Sequence, residues 1–210
     1  MIVAKFILSA DAFPIGELVY CQKFTEETFM KKTVLTFGLI SGAVVAALMW
    51  IMMAGWKSGL VNYEKGEIVG YTTMIVALSM VFFGVKSYRD NNGGKISFWK
   101  GLQVGILISL ISAVCYGLSW EVYYQTSGGA VMEHMEQYTT HYIEKMKEKG
   151  ASADEIEATS KQMASIAEMY KNPAIRFAMT LMEILPIGII VTLISAGLLR
   201  RKELLPAQPA

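Results

Sequence analysis

Apolar residues run through the chain in four long uncharged blocks, with the polar residues gathered between them. Residues 33 to 56 are 24 consecutive positions without Asp, Glu, Lys, Arg or His, and two further uncharged runs cover 68–85 and 101–120. A fourth block, 177–199, is interrupted by a single charge, Glu183. A helix rises about 1.5 Å per residue, so each block is long enough to cross roughly 30 Å of hydrocarbon. Buried helices of soluble proteins keep a polar face over such lengths, and these blocks have none. The pattern predicts transmembrane helices over about 33–56, 68–85, 101–120 and 177–199.

The segment between the third and fourth blocks carries a different period. Val131, Met135, Tyr138, Tyr142 and Met146 recur at spacings of four and three, which draws one face of a helix. Gly150 ends that helix, and Ser152-Ala153-Asp154-Glu155 reads as a capping box opening a second one, with Ile156, Thr159, Met163, Ile166 and Tyr170 along its stripe. Pro173 after Asn172 suits the first turn of the last span, where its missing N–H costs little. The expected fold is therefore an all-α membrane protein of four transmembrane helices, with an extracytoplasmic helical hairpin over about 129–171 between the third and fourth. The first two spans are joined by a short loop containing Gly59, and Asp90-Asn91-Asn92-Gly93-Gly94 marks the turn between the second and third. Residues 1–29 form a leader, either a disordered extension or a misassigned upstream start, the competing reading being an amphipathic segment on the membrane surface. Residues 30–203 form the membrane domain and 204–210 a cytoplasmic tail.

Composition agrees with lipid as solvent: 53% of residues are hydrophobic, only 18% are charged, and the mean hydropathy is +0.39. A formal charge of +1 and the lack of a basic stripe interleaved with aromatics exclude nucleic acid as a partner. The distribution of positive residues sets an orientation. Lys31, Lys32, Lys86, Arg89, Lys95, Lys100, Arg200, Arg201 and Lys202 fall on one side, nine against Lys57 and Lys65 on the other. Positive residues favour the cytoplasmic side, which places both termini there and the long third loop outside. Trp50, Trp56, Tyr63 and Tyr71 gather at one membrane boundary, and Phe98, Trp99, Trp120, Tyr123 and Tyr124 flank the third span, as interfacial aromatics do. They call for no cofactor. Cys21 and Cys115 are too differently placed for a disulfide, and Cys115 reads as a small packing residue.

Glu183 is the most informative single side chain. An ionised carboxylate in hydrocarbon costs at least about 2 kcal/mol, so it must be protonated, paired or hydrated. Pro186 frees the carbonyl of Met182, opening room for a kink or wet notch beside it. A proton- or cation-coupled site would use that geometry; a structural carboxylate bonded to a Tyr or Trp would also satisfy it. His134 and His141, with Gln137, Glu144 and Glu148, form a polar stripe that has ligand types suited to zinc but lacks a tight His pair or a cysteine, and reads better as a solvated face. Gly38-x-x-x-Gly42, Gly101-x-x-x-Gly105 and Ser109-x-x-x-Ala113-x-x-x-Gly117 carry the small-residue spacing that lets helices approach, within the bundle or across a homodimer. No linear nucleophile, phosphate-loop, dinucleotide or metalloprotease motif is present, so no catalytic residue, metal or cofactor is expected.

Several stretches together resemble a known family. They are the Met30-Lys-Lys-Thr-Val-Leu-Thr-Phe-Gly-Leu-Ile-Ser-Gly start, Tyr88-Arg89-Asp90 ahead of Phe98-Trp99-Lys100-Gly101, and Leu185-Pro-Ile-Gly-Ile-Ile-Val-Thr-Leu-Ile-Ser-Ala ending in Arg200-Arg201-Lys202. Over about residues 30–203 they look like the bacterial four-helix membrane family catalogued as domain of unknown function 4199. The resemblance implies a bacterial inner-membrane location and brings no activity with it. The leading functional expectation is a non-enzymatic module whose outer hairpin contacts an envelope partner or a second copy. The alternative is a small proton- or cation-coupled carrier working through Glu183, and a third is an enzyme acting on membrane lipid.

Overall fold

The computed structural model describes residues 15–60 and 63–200. The first fourteen leader positions and the 204–210 tail lie outside the described residues. Among those described, six helices and no strand occur: α1 (Ile15–Lys57), α2 (Tyr63–Asn91), α3 (Phe98–Thr126), α4 (Ala130–Glu148), α5 (Ala153–Tyr170) and α6 (Pro173–Leu199). Four stretches are long and apolar enough to span a membrane: Glu27–Lys57 in α1, Ile68–Asn91 in α2, Phe98–Thr126 and Pro173–Leu199.

The surface of the bundle is apolar like its interior, unlike that of a soluble bundle. Leu39, Ile75, Leu118 and Leu193 lie on the surface, while Ser41, Ser109, Ser112, Thr192 and Ser195 are buried. A surface this hydrophobic needs an apolar surrounding, and hydroxylated residues interspersed with a core of Leu78, Val81, Val104 and Ile108 let the helices approach closely. The buried hydroxyls reach carbonyls instead. Ser41 Oγ donates to Ala77 O at 3.0 Å, linking α1 to α2, and Ser112 Oγ donates to Gly38 O at 3.3 Å, linking α3 to α1.

The third span is the centre of the bundle. Half of its most apolar stretch is buried, against a third or less in each of the others, and it packs most extensively on α6 and α1. Two glycines explain how close the helices come. A Cβ on Gly42 would stand 2.5 Å from Cys115 Cβ, and one on Gly105 would stand 2.5 Å from Thr192 Cγ2. The small-residue motifs of the sequence therefore serve contacts between α1 and α3 and between α3 and α6.

Helix ends differ from the uncharged blocks. The second helix continues past residue 85 to Asn91, so Lys86 and Arg89 lie on its last turns rather than in a loop. Their charges are held locally: Lys86 pairs with Asp90 at 2.7 Å, and Arg89, only 1% exposed, donates to Asp90 from Nε at 2.9 Å and Nη2 at 2.7 Å. A paired charge does not end a helix, which is why charge alone marked the boundary too early. The capping box forms as the sequence implied, with the Ser152 side chain accepting from Glu155 N and the Glu155 carboxylate accepting from Ser152 N at 2.9 Å. Gly150 adopts φ +77°, a left-handed turn that lets α5 follow α4 and pack on it.

Candidate functional site

The start of α6 is built to hold charge. Asn172 caps it, accepting from Ala174 N at 3.0 Å and Ile175 N at 3.4 Å, with Pro173 in the first turn. One turn in, the Arg176 guanidinium is 1% exposed and fully engaged. It donates from Nε to Glu121 Oε2 at 2.8 Å and from Nη2 to Glu121 Oε1, the fork-on-carboxylate geometry of a strong pair. Nη1 donates to Tyr170 O at 2.9 Å, and the guanidinium lies 3.6 Å from the centre of the Tyr124 ring. This cluster fixes α3, α5 and α6 to one another.

Glu183 lies seven residues beyond Arg176, two helical turns on the same face. Among the described residues it has no hydrogen bond or ion pair. The guanidinium two turns away cannot serve it, being committed to Glu121. Glu183 lines a cavity of about 370 Å³ whose walls come from four other helices. From α1 come Met49, Met52, Met53 and Trp56; from α2, Gly66, Gly70, Tyr71, Thr73 and Met74; from α3, Tyr116 and Trp120; from α4, His134 and Tyr138. The cavity is not sealed, since Glu183 remains exposed within the isolated bundle. Pro186 stands one turn further along a continuous α6 and leaves the Met182 carbonyl without its usual helical donor.

A second cavity of about 590 Å³ adjoins the first, and Met53, Trp56, Trp120 and His134 line both. Its remaining wall is more polar, with Lys57, Glu133 and Gln137. His134 stands at the junction, its ring centre 4.5 Å from that of Trp56 in an edge-on contact. Burial pushes its imidazole below the usual value of 6.5. The histidine stripe expected on a solvated face thus turns inward at His134, because α4 folds over the mouth of the bundle and carries that face with it. His141 is half-buried as well. No group of three metal-ligating side chains occurs among the described residues.

Trp120 Nε1 donates to the Tyr170 hydroxyl, placing a phenol at the edge of the same region. Burial pushes the Tyr170 hydroxyl up to about 12; the Trp120 N–H opposes this, and the Glu183 carboxylate adds to it. Sequence reading singled out Glu183 but missed its setting. Arg176 drew no attention, although an Arg entering one span beside a Glu leaving the preceding antiparallel span is a recognisable pairing signal. The convergence of Trp56, Met74 and His134 has no linear counterpart.

A helical membrane protein with four candidate spans, a hydroxyl-rich core and a carboxylate-bearing cavity is the class these features define. Residues 36–201 match the family described as proteins of unknown function and designated DUF4199, and the chain belongs to that family. No curated protein and no solved structure matches it.

Proposed function

We propose that this chain is a non-enzymatic protein of a bacterial inner membrane, with both termini cytoplasmic, a membrane domain over residues 30–203, and an extracytoplasmic hairpin made of α4 and α5. Its working group is Glu183, with Pro186 beside it, and its role is that of a small proton- or cation-coupled carrier. The observation that supports this reading is a carboxylate without a partner, aimed into a cavity, two turns from an arginine fully occupied elsewhere. A proton and a cation cannot occupy one carboxylate together, which is the simplest form of coupling. Beyond the cavity Ala77, Val81, Val104 and Ile108 pack with none of them exposed, a tight apolar layer that a carried ion would have to pass. Reconstituted vesicles with a trapped pH dye test the reading: Glu183→Gln is expected to abolish the proton flux the unaltered chain supports, and unchanged flux overturns it.

A second reading gives α4 and α5 the job of docking a second copy or an envelope partner. Tyr142 and Met169 favour it, being 42% and 43% exposed. Much of the two stripes is already covered within the chain, since Val131 is buried, Tyr138 lines the Glu183 cavity and Tyr170 meets Trp120, which uses internally the surface this reading needs. Deleting residues 128–171 and measuring crosslinked partner capture decides it; capture that persists rules the docking role out.

A further inference from the structure

The chemistry of the cavity wall also selects a class of occupant. Building on the reading of Glu183 as the working carboxylate, we infer that the cavity binds a monovalent organic cation with an apolar body, of the quaternary or protonated aromatic amine type.

Charge is the first argument. Glu183 is the one acidic side chain among the described residues of this wall, and it is unpaired; the only basic type beside it is His134, which burial disfavours as a cation. A carboxylate without a counter-ion in a low-dielectric setting gains most from a guest that brings the missing positive charge and lets it ionise, and gains nothing from an anion. The second argument is the aromatic wall. Trp56, Tyr71, Tyr116, Trp120 and Tyr138 reach the cavity from four helices. Ring faces attract cations that cannot hydrogen-bond, and a set of rings around one carboxylate is the arrangement that holds a quaternary ammonium.

Shape and softness point the same way. Met49, Met52, Met53 and Met74 supply unbranched thioether chains that adapt to irregular apolar guests. The volume of about 370 Å³ suits a small organic molecule and far exceeds a bare ion. A metal cation would need several oxygen or nitrogen ligands, and no such group exists among the described residues. A lipid acyl chain would match the methionines and rings but would leave the carboxylate unused.

Benzyltrimethylammonium and its uncharged carbon isostere neopentylbenzene separate these occupants. The full chain is purified in a non-ionic maltoside detergent, and saturable binding is read from the fluorescence of its tryptophans, of which Trp56 and Trp120 line the cavity. The cation is expected to bind about tenfold or more tightly than the isostere, as the combined charge and ring attraction implies. Glu183→Gln should erase that preference while Glu183→Asp retains it, and Trp56→Leu should weaken the cation more than the isostere. Equal binding of both probes by the unaltered chain overturns the cation assignment and needs no variant to fold. That result would leave a Glu183-dependent proton flux standing, whereas loss of flux dependence with the cation preference intact would remove the carrier reading alone. Absence of saturable binding by either probe also overturns the inference.

Discussion

Two carboxylates near one end of the bundle meet opposite fates. Glu121 is bound by both sides of the Arg176 fork, which makes it structural, whereas Glu183 has no partner among the described residues. Removing Arg176 strands Glu121, whose side chain is 26% exposed and partly reachable by water, so Arg176→Met should destabilise the protein by about 1–3 kcal/mol. Replacing both, Arg176→Met with Glu121→Met, should cost clearly less than the single change, because no orphaned charge remains. Thermal unfolding of the three variants in detergent measures this, and additive costs would contradict the pairing. His134 supplies a pH dependence of known sign. Its folded-state value is depressed, so the unfolded chain takes up the proton first as pH falls below about 6.5. The seating of α4 is therefore fully stable above that pH and weakens as pH drops towards the folded value. Protection factors of the α4 amides, taken against the intrinsic exchange rate at each pH, should fall between pH 7 and pH 5, and His134→Phe should flatten that response.

Among the elements, α3 is the one whose fit is tightest. Gly105→Ala drives a methyl group into Thr192 and should cost about 1–3 kcal/mol, as overpacked cores do. Gly197→Ala meets nothing within 4 Å and should be neutral or slightly stabilising, since alanine favours the helix. Comparing their unfolding temperatures checks the assignment of α3 and α6 as direct neighbours. The helices themselves were legible in the sequence because hydrocarbon tolerates no charge: the uncharged runs mark the spans, and Ser152 with Glu155 marks the start of α5. Where charges are neutralised locally the signal fails, as at Lys86 and Arg89, whose pairing with Asp90 carries α2 on to Asn91. The candidate site was half legible. An intramembrane carboxylate stands out in a linear string, but its surroundings do not. Trp56, Met74, Tyr116 and His134 lie on four different helices, and only their packing brings them together.

At the scale of the whole molecule, the proposed orientation makes a direct prediction. In a cysteine-free background, a single cysteine at Lys147 should react with an impermeant maleimide from outside intact spheroplasts, and one at Asn92 should react only after lysis; the reverse labelling would invert the assignment. Both sites are exposed turn or helix-end positions where substitution disturbs no buried contact. The core also sets an order of assembly in the growing chain. Once α1 and α2 have entered the membrane, Ser41 finds the Ala77 carbonyl, so that pair is satisfied early. Ser109 on α3 must wait for Gly188 and Thr192 on α6, which are synthesised some eighty residues later, after both α4 and α5. During that interval Ser109 faces lipid or an empty groove without its α6 partners. Truncations ending before α6 leave the central helix without its most extensive neighbour and should be cleared by membrane proteases rather than accumulate.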